Sequence, residues 1–506
     1  MCIRPLLLNI TFLLPLTAAF SQARDYNITA YGAKADKKQL NTVAIQKAID
    51  AAAKAGGGRV IVPDGNYVTG PIEIKSNVEL HLTSNAVLLG STNRLDYKDA
   101  QMALIGANGQ QNIAITGGGT IDGRGRELVE NVLELLSKGI ITDPQWKVKR
   151  PTEKNRPTII SFNNCLGVKV TGITLKDASG WVQGYNKCTK VLIDSMLVQS
   201  TAYWNNDGVD ITDCKNVRIV NSTFNAADDA ICLKSDDPND ACDNIVVEDC
   251  VLRSSANGFK LGTGSAGGFR HIRVNGLRVY NTYRSAIALE SVDGAALEDI
   301  DIRNVTATNT GNAIFLRLGH RNADNRYSTL KHVYIGKVKA EIPAGKPDIG
   351  YPMEGPPPKV GPHNVVPSCI VGLPGHPVED VLLEDIEINY AGGADKAVAC
   401  VNIDNLASVT ENVAGYPEFT MFGELPAWGF YVRHATGITF KNMKLTVNVA
   451  DFRPALVFDD VKSLNMDKVD IPNVNQSPAV VMNGVSQPSL KEINMPGDIK
   501  ALIKVQ

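Results

Sequence analysis

CLGVKVTGITLKD, residues 165–177, is followed by CTKVLIDSMLVQS (188–200), CKNVRIVNSTFNA (214–226) and CDNIVVEDCVLRS (242–254). Each segment begins on cysteine, alternates polar with branched apolar residues, and bends at Gly, Asn or Ser. FRHIRVNGLRVYN from Phe269 and ALEDIDIRNVTAT from Ala296 continue the series, so successive starts lie 23, 26, 28, 27 and 27 residues apart. VEDVLLEDIEIN from Val378 and ATGITFKNMKLTV from Ala435 resume it after an interruption. Alternation with period two marks strands with one buried face, and repetition at such an interval marks a solenoid. No long helical pattern separates the copies, the LxxLxL frame of a leucine-rich repeat is absent, and a propeller blade needs about 40 residues or more. The pattern therefore predicts an all-β protein, a single-stranded, right-handed parallel β-helix in which each repeat is one coil.

Outward from the repeats, NTVAIQKAIDAAAKAGGG places Ile45, Ala48, Ile49 and Ala52 on one helical face. Asn41 or Thr42 is available to cap it and Gly56 to end it. A solenoid leaves an apolar end that needs covering, so this short helix is expected to cap the N-terminal end. Two stretches break the rhythm. Residues 126–157 hold RELVENVLELLSK, a helical pattern, followed by basic WKVKRPTEKNR, and residues 342–368 are rich in Pro and Gly. Long insertions on one face of a solenoid either build a binding wall or are surface loops.

The first residues, MCIRPLLLNITFLLPLTAAFSQA, read as a cleaved export signal over 1–23, with the mature β-helix domain over 24–506. The alternative, a membrane anchor, is disfavoured because the apolar run falls short of the roughly 20 residues a span needs. An exported, secreted or periplasmic protein without a membrane span is expected, acting as a monomer. With 51 basic and 53 acidic residues in 506, no charge imbalance points to nucleic acid. Removal of Cys2 with the signal leaves eight cysteines, which permits disulfides without requiring them. No CxxC pair occurs and the seven histidines are scattered, so neither a metal nor another cofactor is expected.

The chemistry concentrates in two adjacent repeats. WNNDGVDITDC contains Asp207 and Asp210, and NAADDAICLKSDD sets Asp228 and Asp229 against an apolar run. Asp207 precedes Asp228 by 21 residues, close to one coil, so the three carboxylates Asp207, Asp228 and Asp229 should share one patch. Like charges held so close cannot all ionise freely, and at least one pKa must rise. One aspartic acid can then stay protonated as a general acid while another serves as base. Asn205, Asn206, Asp210 and Asp213 are also the residue types that satisfy backbone donors in turns.

At these positions the sequence resembles glycoside hydrolase family 28, the polygalacturonases and related pectin hydrolases. Asn205-Asn206-Asp207-Gly208 matches the family's Asn-x-Asp-Gly motif and Asp228-Asp229 its Asp-Asp pair one coil later. YGAKAD with NTVAIQKAI, and GGGTIDGRG from Gly117, resemble its N-terminal region and early Gly-rich coil, so the likeness covers nearly the whole mature chain. The resemblance implies that Asp228 protonates the glycosidic oxygen, that Asp207 and Asp229 activate water, that the anomeric centre inverts, and that the substrate is a pectin-type polysaccharide such as polygalacturonan or a rhamnogalacturonan.

The departures bear on substrate. Where the family has Gly-His-Gly this chain has Ala256-Asn257-Gly258, and where it has Arg-Ile-Lys the alignment gives Ala288-Leu289-Glu290. The family's Arg and Lys hold a uronate carboxylate. Here Lys234, Lys260 and Arg284 are either their replacements or ordinary solvated cations. Glu290 is a candidate for bonding sugar hydroxyls, Asn257 lines the same region, and Trp181 and Trp204 are candidates for stacking on a sugar face. Two other classes remain. A polysaccharide lyase would need a basic residue as proton acceptor and acidic residues to hold a metal, and a non-catalytic carbohydrate-binding β-helix would fit the lost His, Arg and Lys but not the Asp trio.

Overall fold

In the computed structural model, strands from successive coils pair in parallel along the chain, and the sheet runs from Asp25 to Val505. The structure describes residues 24–97, 103–357, 365–394, 402–473, 478–497 and 503–505. The candidate export signal over 1–23 and Cys400 lie outside these residues, as does part of the Pro-rich stretch.

The early coils contribute three short strands each, and from Cys242 onward these merge into longer continuous ones. Val209–Thr212, Lys215–Val220 and Thr223–Ala226 form one coil, and each pairs in register with its counterpart in the coil before and after. Because the register holds, like residues stack. Val168, Val191, Val217, Ile245, Ile272, Ile300, Val333, Val381 and Ile438 form one column along the axis. Each is almost fully buried, and burying such a side chain contributes about 1.5–3 kcal/mol. This repeated, β-branched column is why a chain of modest hydropathy holds together as a parallel β-helix. Strand-to-parallel-strand connections are right-handed in nearly all proteins.

The bends use Asn and Asp in the left-handed region, as at Asn216, Asn244 and Asn304, which these side chains tolerate better than others. Neighbouring bends are tied together, Asn244 Nδ2 donating to Asn216 Oδ1 at 2.6 Å and Asn304 Nδ2 to Asn275 Oδ1 at 2.6 Å. The repeat starts at Cys165, Cys188, Cys214 and Cys242 form a buried stack, with Cys188 N donating to Cys214 Sγ at 3.2 Å. The seven described cysteines are buried free thiols. The final step of the early series is 28 residues rather than 27, since Phe269 pairs with Leu297 and not Ala296.

Helix α1, Thr42–Lys54, buries Ala44, Ile45, Ala48, Ile49 and Ala52 against the first strands. Asn41 does not cap it with its side chain. Its amide instead accepts from Lys34 N at 2.8 Å and donates to the carbonyls of Lys34, Gln39 and Val68, closing the loop before the helix. Helix α2, Gly125–Ser137, occupies the helical pattern of the first insertion.

A third segment, residues 402–429, was not legible as an insertion. It lies across the outer face of the sheet, where Phe315, Cys369, Tyr431, Val457 and Val481 stand in one row by register. Leu406, Val409, Phe419, Met421, Phe422 and Leu425 cover that row in a second apolar cluster. The signal was available: the repeats that start at Val378 and Ala435, which pair in register, lie 57 residues apart, about twice one coil. Among the described residues no helix is long and apolar enough to cross a membrane.

Candidate active site

Four strands carry the site on the outer face beside that apolar cluster: β1 (Val209–Thr212), β2 (Ile231–Ser235), β3 (Phe259–Ser265) and β4 (Phe269–Ser291). Their register places Asp210, Cys232, Lys260 and Ala288 in one row across four coils. Thr212 and Lys234 lie in the parallel row, two residues along, and Glu290 is two residues beyond Ala288. Asp207 and the Asp228–Asp229 pair occupy the turns that lead into β1 and β2, on adjacent coils. Gly208 N donates to Asp229 O at 2.8 Å, and Asp228 N to Asn206 O at 3.3 Å.

Asn206 explains the rigidity of the first turn. Its buried Oδ1 accepts from Ser200 Oγ, Ala202 N and Tyr203 N, and its Nδ2 donates to the carbonyls of Ala178 and Gly180. Asp213 likewise serves the backbone, accepting from Asp236 N, Asp237 N and Ser235 Oγ. Asn205 faces the site, its Nδ2 lying 3.4 Å from Asp228 Oδ2 while buried Arg156, from the first insertion, donates to its Oδ1 at 3.0 Å. Asp210, which the sequence offers as a turn residue, is instead a fully buried carboxylate paired with Lys234.

The three carboxylates have different environments. Asp229 is buried, its Oδ1 accepting from Asn257 N at 3.0 Å and Asn257 Nδ2 at 2.8 Å, and its Oδ2 from Lys260 Nζ at 3.0 Å. Burial pushes its carboxyl up, but Lys260, then Lys234 and Arg284, outweigh that and hold it at about 2. Asp228 is only partly buried; burial and then Asp229 beside it raise its carboxyl. Asp207 is buried with no hydrogen-bond partner for Oδ1 among the described residues, and burial, then Asp210 and Asp228, push it well above the usual carboxylate range. Burial likewise lifts Asp210 to about 6 despite Lys234.

The cations expected to be solvated are not. Lys234 binds Asp210, lies 3.6 Å from Asp207 Oδ2, and sits 4.6 Å above the Trp181 ring. This gives Trp181 a cation on its face rather than an open platform. Lys260 is almost wholly buried between Asp229 and Glu290, 3.7 Å from the latter, with Tyr416 OH at 3.3 Å. Arg284 lies 3.7 Å from Glu418, and its Nε is buried without a hydrogen-bond partner among the described residues. Glu290 is 1% exposed, and burial lifts its carboxyl to about 7 against the pull of Lys260. Trp204 is 44% exposed on the side of the first insertion.

Oxygens of Asp207 and Asp229 and the sulfur of Cys232 approach within 4.8 Å of one another, a spacing a metal ion could use. The Lys234 ammonium already lies beside two of them, 3.0 Å from Cys232 Sγ and 3.6 Å from Asp207 Oδ2. Sequence reasoning missed Tyr416 and Glu418, which come from the 402–429 segment and carry no motif, and Arg156, whose role rests on contacts with the distant Asn205 and Trp204.

Fold and site together define a parallel β-helix with a cluster of buried and half-buried carboxylates on its outer face. The chain belongs to glycosyl hydrolases family 28, whose sequence profile matches residues 54–325. It is 30% identical over 248 residues to an exo-poly-α-D-galacturonosidase of Dickeya chrysanthemi, covering 40% of this chain and 41% of that protein. A polygalacturonase of Malus domestica is 28% identical over 224 residues, with 44% and 46% covered. These matches thus span less than half of the curated relatives' length. Among solved structures, a family 28 exopolygalacturonase of Yersinia enterocolitica shares the fold at 18% identity and TM-score 0.59, over 94% of this chain and 79% of that one.

Proposed function

We propose that this protein is an exported glycoside hydrolase that cleaves pectin-type polysaccharide by inverting acid–base catalysis. The observation that carries the reading is the division of labour in one patch: partly exposed Asp228 is pushed toward its protonated form while Asp229, beside it, is held ionised. Asp228 donates its proton to the glycosidic oxygen as the bond to the anomeric carbon breaks. Asp229 takes a proton from the water whose oxygen bonds to that carbon from the opposite face, and Asp207, whose own carboxyl is pushed toward its neutral form, holds that water by a hydrogen bond. Asp228 ends ionised and the base protonated, and exchange with solvent restores both.

Lys234 and Lys260 are committed to carboxylates, so they organise the site rather than hold substrate. Arg284, whose nearest carboxylate, Glu418, is 3.7 Å away, is the cation least committed to a partner and so the one best placed to meet a uronate carboxylate, and Trp204 is the exposed surface for stacking. Three segments, 125–157, 342–357 and 402–429, stand around the patch: Arg156 contacts Asn205, Met353 O accepts from Ser255 Oγ, and Tyr416 reaches Lys260. Such walls, together with the exo-acting relative, support cleavage from a chain end. Residues 1–23 fit a cleaved signal, α1 a cap on the N-terminal end, and the whole a monomer.

The test is incubation of the mature protein with polygalacturonan, rhamnogalacturonan and neutral pectic side chains, following reducing ends and the ultraviolet absorbance of unsaturated products. Hydrolysis gives reducing ends without absorbance. Rising absorbance would assign a lyase instead, and silence on all substrates would refute the reading. Terminal cleavage releases only short products, whereas a rapid fall in viscosity would mean internal cleavage.

A further inference from the structure

Every hydrogen bond that Asp229 accepts through its side chain comes from one neighbouring coil: main-chain and side-chain nitrogens of Asn257 on one oxygen, Lys260 Nζ on the other. Asn257 is itself fixed, its Oδ1 accepting from Ser285 N at 3.1 Å on the coil beyond. Lys260 is 2% exposed at its side chain and is boxed in by Asp229, Glu290 and Tyr416. Among the described residues no histidine takes part. The neighbouring acids are provided for differently: Asp228 accepts one long contact from Asn205 and one bond from Asp229 N, and Asp207 has an unbonded oxygen.

We infer that Lys260, together with Asn257, is a positioning device that makes Asp229 the proton acceptor and leaves the proton with Asp228. This rests on the reading of the Asp trio as acid and base. Two donors on one oxygen and an ammonium on the other favour the charged form of Asp229 over the neutral one, which would have to turn a hydroxyl toward a donor. The charged groups facing Asp229 are Lys260 from β3, Lys234 from β2, into which its turn leads, Arg284 from β4, and the carboxylates Asp207, Asp228, Asp210 and Glu290, with Tyr416 above Lys260. Lys260 is the cation in direct contact with it. A fixed ammonium does not titrate between pH 3 and 8, so base function in this site should persist at lower pH than an imidazole-supported base would allow.

The test compares wild type, Lys260→Met and Lys260→Arg on whichever polysaccharide the wild type cleaves. In Lys260→Met the acid limb of the kcat/KM profile should move up by about 1–3 pH units, with kcat reduced and KM little changed, and Lys260→Arg should restore the limb. An unmoved limb, or a raised KM with kcat kept, would overturn the inference, the latter because Lys260 would then be touching substrate. Potentiometric titration of the same proteins reads the effect without turnover. Lys260→Met should bind one more proton than wild type between pH 3 and 6, and coincident curves would overturn the inference. If the wild type cleaves nothing, the hydrolase reading falls while the titration still decides this point. If Lys260→Met does not fold, Asn257→Ala, which keeps the main-chain donor, should show a smaller displacement in the same direction, and none would count against the inference.

Discussion

Replacing Glu290 with Gln should stabilise the protein at alkaline pH and leave it unchanged in acid. Glu290 is 1% exposed, both its oxygens lack hydrogen-bond partners among the described residues, and its nearest cation, Lys260, is 3.7 Å away and already bonded to Asp229 at 3.0 Å. Burial therefore lifts its carboxyl from the ordinary 4.5 to about 7. A carboxyl raised in the folded state contributes stability that is fully present below pH 4.5 and lost as pH rises through 7. At 1.36 kcal/mol per pH unit the loss by pH 8 is about 3 kcal/mol. Gln has the shape of the protonated acid and cannot ionise, so Glu290→Gln should match wild type at pH 4 and exceed it by about 3 kcal/mol at pH 8. With unfolding entropy near 2.1 cal/mol/K per residue, a chain of this size gains about 3 °C in Tm. Thermal melts of both proteins at pH 4 and pH 8, followed by circular dichroism, measure this. Equal melting at pH 8, or a variant less stable at pH 8 than at pH 4 relative to wild type, would refute the argument by showing that the Lys260 pair outweighs the cost of burial.

Asp228→Asn should cut turnover by about 10²–10⁴-fold with the circular dichroism spectrum kept, since the Asn side-chain oxygen can still accept from Asp229 N; near-normal activity would remove Asp228 from the acid role. Asn206→Ala strands five buried partners in the turn before Asp207, so a loss of about 3 kcal/mol or more is expected in thermal or urea unfolding. Gly208→Ala would place Cβ 2.5 Å from Ala230 O, forcing the Asp207 and Asp229 turns apart. It should lower kcat at least tenfold, which steady-state kinetics would detect.

The solenoid was legible because its information is local and repeated. Polar and apolar residues alternate within each strand, and the same pattern recurs once per coil, so the register of Val168, Val191, Val217 and Ile245 follows from spacing alone. The 21-residue step from Asp207 to Asp228 also places the carboxylates on adjacent coils. The 402–429 segment escaped because its apolar residues follow no period; they match the outer face of coils far away in sequence.

The sequence by itself thus determined the coil, the order of coils and the meeting of three aspartates, since each depends on neighbours within about one repeat. Tertiary structure alone decided which carboxylate keeps its charge. Lys260 reaches Asp229 from 31 residues away and Tyr416 closes over it from 156 residues further on, while Asp207 and Glu290 are sealed with no hydrogen-bond partner among the described residues on one or both oxygens. Desolvation and pairing depend on what surrounds a group in three dimensions, and a linear pattern carries neither.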